Sequence, residues 1–202
     1  MTHRLLALAL VLFLGLPARA ADKPTRADLQ QALALHERSV VTVKSGRGGR
    51  GAGPGVIVGA EGQVLTSVRH AGPEAARVEF EGQSLPATVV LANAMLQVAV
   101  LAAPAGSYPA VPVRVSADSP AGQWLIGVVP GRGRRPATPT SALAREAPAP
   151  FVEVELALPP GTPLFDTRGR LVAVAVQRKG RGCLALPLEA VKQQLVTQAA
   201  PP

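Results

Sequence analysis

The stretch from Leu156 to Val176, LALPPGTPLFDTRGRLVAVAV, leaves the chain little freedom in how it folds. Its first half is a loop, Pro159-Pro160-Gly161-Thr162-Pro163, in which the paired prolines favour extended backbone. Its second half is a turn, Phe165 to Arg170, feeding an apolar run, Leu171 to Val176, of strand length and strand composition. The same alternation of brief apolar runs with glycine and proline fills the chain from Ser39 onward. A fold made of many short strands is the consequence.

Six strands are predicted first: Val40 to Val43, Val56 to Val58, Gln63 to Thr66, Arg77 to Glu81, Ala87 to Leu91 and Val98 to Leu101. A Gly/Arg loop from Gly48 to Gly55 interrupts them. Turn signals at this spacing read as a small barrel or sandwich. Ala102 to Ala110, with Pro104, Gly106 and Pro109, reads as a linker. Six more strands are predicted beyond it: Val111 to Val115, Gln123 to Val129, Thr140 to Ala144, Phe151 to Leu156, Arg170 to Val176 and Gly182 to Ala185. In the fourth of these, Val152, Val154 and Leu156 alternate with Glu153 and Glu155, the mark of a strand with one wet face. Helical spacing of Leu29, Ala32, Leu33 and His36 predicts a short helix over Ala27 to Leu35, and a second helix is predicted from about Leu188 to Gln198. The expected architecture is all-β, with two six-stranded antiparallel barrels, a short N-terminal helix and a C-terminal helix. Its expected divisions are a leader at 1–20, a tether and helix at 21–38, barrels at 39–104 and 111–187, and a terminal helix and tail at 188–202.

The chain is 48% hydrophobic, so it can bury a core despite its glycine and proline, and it is not expected to be disordered. Met1 to Arg4 is basic, Leu5 to Leu16 is apolar but short for a membrane span, and Ala18-Arg19-Ala20 offers a small-x-small cleavage site. Cleavage near Ala20 and a periplasmic or secreted destination follow as expectations. Cys183 is the one cysteine, so no intramolecular disulfide can form; it reads as a small buried hydrophobe. The formal charge of +8, spread over many loops, suits anionic surfaces, and no nucleic-acid-binding motif accompanies it. Gly131 to Arg135 and Gln177 to Arg181 are compact basic loops suited to an anionic envelope surface. No cluster of metal-ligand spacing is present in the sequence, and neither metal nor cofactor is expected.

Several segments in order resemble the trypsin-like serine protease domain of the HtrA/Deg type. Gly161, Pro163, Leu164, Phe165, Asp166 and Gly169 match its nucleophile segment, and Gly51 to Val58 its glycine-rich lead-in. Val64 to His70 resembles the strand carrying its histidine, and Leu96 to Leu101 the strand carrying its aspartate. Ala121 to Pro130 and Gly182 to Pro187 match two later strands. The resemblance covers about Ser39 to Leu195 and implies two trypsin-like barrels with a cleft between them. The domain that often follows in this family has no counterpart expected after Leu195, and no oligomeric state is carried over.

At the positions that should hold the triad the match fails. Counting back from Gly161, the nucleophile falls on Pro160, which has no hydroxyl and no backbone N–H to serve an oxyanion. Leu158 stands where the family's glycine supplies the other donor, and Pro159-Pro160 argues against a tight nucleophile turn. Anchored on Thr66, the histidine position is Arg69, whose guanidinium stays protonated. His70 then falls one residue late, about 100° around a helical turn and away from the site. The aspartate position is Gln97, which is neutral and is expected to contact Arg69. Thr162, the one hydroxyl of the loop, reads as bonding its own backbone. The resemblance therefore implies a pseudoprotease that binds an extended peptide or protein client, with an active serine endopeptidase of the HtrA/Deg type and an anionic envelope-surface-binding protein as the alternative readings. Its peptide-binding strand is expected at Gly182, Cys183, Leu184 and Ala185. Among the remaining residues, His36 reads as an exposed or helix-end histidine, Trp124 as core or rim, Tyr108 as linker packing, and Asp166 as a turn cap.

Overall fold

The computed structural model describes residues 22–45, 51–72, 76–114, 116–131 and 135–199. The leader expected at 1–20 lies outside them, as does the centre of the basic loop at Gly131 to Arg135.

Two closed antiparallel barrels of six strands each make up the fold. The first comprises β1 (Val40–Ser45), β2 (Ala52–Ile57), β3 (Gln63–Ser67), β4 (Ala76–Phe80), β5 (Gln83–Asn93) and β6 (Val98–Ala102). The second comprises β7 (Trp124–Val129), β8 (Thr138–Glu146), β9 (Val152–Val154), β10 (Pro163–Phe165), β11 (Leu171–Lys179) and β12 (Gly182–Pro187). Around the first barrel the strands run β1-β2-β3-β6-β5-β4, and around the second β7-β8-β9-β12-β11-β10, the same order repeated. Closure removes the free sheet edges that short antiparallel strands would otherwise leave.

Twelve strands are expected and twelve are found among the described residues, but two differ. Val111 to Val115 does not form a barrel strand. Among its described residues Val113 makes a parallel bridge to Leu171, with Leu171 N–H donating to Pro112 O at 2.8 Å, and Val111 N–H donates to Ile57 O of the first barrel at 3.0 Å. The place it was given in the second barrel belongs to β10, which is three residues long and begins on Pro163. The glycine-rich segment also contributes more than a loop, because β2 starts at Ala52.

Each barrel has its own interior. Val43, Ile57, Val64, Ala99 and Leu101 fill the first, and Leu125, Val154, Leu164, Ala173 and Cys183 the second. A third cluster joins them: Val56, Leu65 and Val100 of the first barrel pack with Val128, Phe165, Val174 and Leu186 of the second. The C-terminal helix α3 (Leu188–Ala199) adds Leu188 and Val191 to this shared layer. Burying a side chain of this size contributes roughly 1.5–3 kcal/mol, so the shared layer fixes how the barrels meet.

The N-terminal helix α1 (Arg26–His36) starts at a capping box, in which Thr25 and Asp28 each satisfy the other's backbone N–H. It ends on His36, which is not exposed. The ring is 3% exposed and stacks on Phe165, centroids 4.0 Å apart and planes 5° from parallel. Burial holds the His36 pKa below the ordinary histidine value, with the Gly169 backbone opposing. Trp124 stands half-buried at the rim of the second barrel, under Lys23. Tyr108 packs against Phe80, and its hydroxyl donates to Pro104 O.

Candidate functional site

The cleft between the barrels holds a cavity of about 380 Å³, with Gly51, Gly53, Arg69 and His70 on the first-barrel side and Pro159, Pro160 and Arg178 on the second. Local sequence positions each wall. On the first, β3 runs one residue further than expected, through Ser67, whose hydroxyl accepts from the Arg69 N–H at 3.4 Å and caps a one-turn helix α2 (Val68–Ala71). That extra strand residue shifts the helical register by one. Arg69 therefore turns outward and is exposed, and His70 turns in and is buried.

This overturns the placement expected from the Thr66 anchor. His70 Nε2 lies 3.1 Å from Pro160 O, so the imidazole reaches the loop it was expected to miss. Gly53 makes the space, because a Cβ there would lie 2.0 Å from His70 Nε2. The cap at Ser67, three residues before His70, is the sequence signal that identifies the register.

Gln97 does not meet Arg69. Its backbone has a φ of 58°, and its side-chain amide donates to Ala94 O.

On the second wall a tight turn forms after all. Thr162 N–H donates to Pro159 O at 3.1 Å, with Pro160 and Gly161 between them and Gly161 at a φ of 89°. Proline at the second turn position and a left-handed glycine at the third suit a type II turn, so the prolines favour this geometry. Thr162 Oγ1 also donates to Pro159 O, at 2.7 Å, and is fully buried. A Cβ on Gly161 would lie 2.1 Å from Pro54 O, and the same carbonyl accepts from Thr66 Oγ1 at 2.7 Å. The turn is thereby seated directly on β2 and β3.

Leu158 points away from the cleft. Its side chain is buried in the second barrel against Gly127, and its N–H donates to Leu156 O at 2.9 Å. The Gly161 N–H is likewise spent, on Ala175 O at 2.6 Å. Neither donor is free to meet an oxyanion, which normally needs two preorganised N–H groups.

The strand expected to receive a peptide is closed. Cys183, Leu184 and Ala185 of β12 pair with Val154, Glu153 and Val152 of β9 on one side and with β11 on the other. Burial pushes the Cys183 thiol up, with the Leu158 backbone opposing, Glu153 adding, and the Arg178 charge opposing. A protonated, fully buried thiol is not a nucleophile. The open edge belongs to β11. Its pairing with β10 runs from Leu171 to Val174, and Ala175 bonds to the turn at Gly161 and Thr162. Beyond Ala175, among the described residues, the edge from Val176 to Lys179 carries no strand. Sequence periodicity could not show this, because β10 and β11 differ in length only once paired.

Asp166 caps the turn before β11. It accepts from the N–H groups of Arg168 and Arg170 at 2.9 Å each, and pairs with the Arg170 guanidinium at 2.8 Å.

No protein-family model and no curated protein matches the chain. Solved structures do. The serine endoprotease from Yersinia pestis matches at 20% identity with a TM-score of 0.72, over 88% of this chain and 67% of its own. The Rv3671c protease in an inactive form matches at 22% identity with a TM-score of 0.68, over 89% of this chain and 99% of its own. Both are similar in fold, and the chain has the trypsin-like double barrel.

Proposed function

We propose that this trypsin-fold protein is catalytically silent and binds extended peptides or protein segments in the cleft between its barrels. The observation that carries the reading is the contact between His70 Nε2 and the Pro160 carbonyl. A general base in this fold works by taking a proton from a hydroxyl nucleophile. Here the atom it faces is a carbonyl oxygen with no proton to give. Gln97, in the aspartate's place, is neutral; of the two oxyanion positions, Pro160 has no N–H and the Leu158 N–H is engaged by Leu156 O. Binding needs none of these. An extended segment adds to a strand edge through backbone groups, and β11 offers such an edge from Val176 to Lys179 beside the cavity. With the leader read at 1–20, the protein would act in the periplasm or outside the cell. N-terminal sequencing of the exported form tests that part.

Two measurements test the rest. Purified protein should release no more fluorescence from labelled casein than its His70→Ala variant. Hydrolysis that His70→Ala removes would overturn the silent reading. Titration with extended peptides should move the backbone NMR signals of 176–179. Unmoved signals there would overturn the binding reading.

A further inference from the structure

We propose that the cleft selects acidic extended segments, with Arg69 and Arg178 recognising the carboxylates. The inference rests on the peptide-binding reading and adds the class of partner. Arg178 lies on the open stretch of β11, so it reaches a bound segment wherever backbone pairing occurs there. It stands opposite Cys183 in the β11–β12 register, and cross-strand partners share a face, so its side chain projects at the mouth of the second barrel. Arg69 lines the same cavity from α2 on the other wall. Two cations thus flank one groove.

Nothing in the groove answers them. No carboxylate lines the cavity among the described residues, and neither arginine makes an ion pair there. Glu153, beside the same hairpin, is held by Lys179 Nζ at 2.7 Å. Pro159 and Pro160 add no donors or acceptors beyond their carbonyls. An unpaired guanidinium over such a wall offers a planar fork that fits a carboxylate in two parallel hydrogen bonds. Backbone pairing along β11 is indifferent to sequence, so the arginines supply the selectivity. The net charge of +8 on the whole chain favours encounter with acidic partners as well.

Three labelled peptides of one length test this, alternating Val with Glu, with Ser or with Lys. Fluorescence anisotropy at low salt should show the Glu peptide binding about tenfold or more tighter than the Ser peptide, with the Lys peptide weakest. Added salt should shrink the gap. Arg178→Gln should lose most of the preference, and the pair Arg69→Glu with Arg178→Glu should reverse it toward the Lys peptide. Both side chains lie at the surface, and an unchanged thermal melt would establish that these variants fold. Equal binding of Glu and Ser peptides would overturn the selectivity while leaving the peptide site standing, and so would a preference that survives the paired reversal. Failure of all three peptides would instead remove the peptide site itself. Anionic phospholipid vesicles that displace the Glu peptide at equal charge would overturn the proposal in favour of a membrane surface.

Discussion

On the first-barrel wall of the cleft, Gly53 makes room for an imidazole; on the second-barrel wall, Gly161 makes room for a carbonyl. The geometric allowance is nearly the same, and the two neighbours differ in what they can do. An imidazole sits at the end of a side chain and can rotate aside. The Pro54 carbonyl belongs to β2 and is fixed by the strand pairing on either side. The second wall is therefore seated by backbone on backbone, whereas the first meets the loop through the His70 side chain. Docking of the barrels rests on the shared apolar layer and on close glycine contacts such as Gly161 on Pro54 O, whereas what the cleft can do depends on the side chains that line it.

Mutation separates the two walls. Gly161→Ala should have the largest effect, because it combines a left-handed backbone with a collision against fixed main chain. A loss of about 3 kcal/mol in urea unfolding is expected. A loss below about 1 kcal/mol would mean the turn is not seated as described. Gly53→Ala should cost only about 1 kcal/mol, since His70 can swing away. Combining it with His70→Ala should restore most of that loss, and a pair that simply adds would show the imidazole is not the obstacle.

The gentlest test uses acid. His36 lies behind the second wall, under Phe165, with its pKa lowered chiefly by burial. The unfolded chain thus takes up this proton at a higher pH than the folded one. Its contribution to stability is full above the ordinary histidine value of about 6.5 and is lost as pH falls below it toward the folded value. Urea midpoints measured between about pH 7.5 and 5 should fall accordingly, and His36→Phe, which keeps a ring to stack on Phe165, should flatten that part of the slope. An unchanged slope in the variant would assign the acid sensitivity to other groups.

Much of the architecture is legible in the sequence because apolar runs such as Val98 to Leu101 are cut by glycine and proline at strand length. Pro163 to Phe165 escaped because three residues starting on proline show no alternation. Val111 to Val115 misled because an extended apolar segment reads the same whether it joins a barrel or rests beside one. The cleft residues His70 and Pro160 are legible in the sequence, but the register that brings them together is not. Thr66 anchors a sequence resemblance but not the register, since the strand continues through Ser67 and the helix is set by the cap. Which strand edge stays open is a property of pairing, and no single strand's residues encode it.

The apolar layer shared by the two barrels has a consequence for how the chain can be divided. Val56, Leu65 and Val100 meet Phe165, Val174 and Leu186 across it, and the connection between the halves passes through an exposed stretch at Pro104, Ala105 and Gly106. Cutting the chain there would leave two pieces, each with a greasy face that only the other covers. Such pieces would be matched halves of a split protein: each is expected to be sparingly soluble apart, and their reassembly would report that two fused proteins have met.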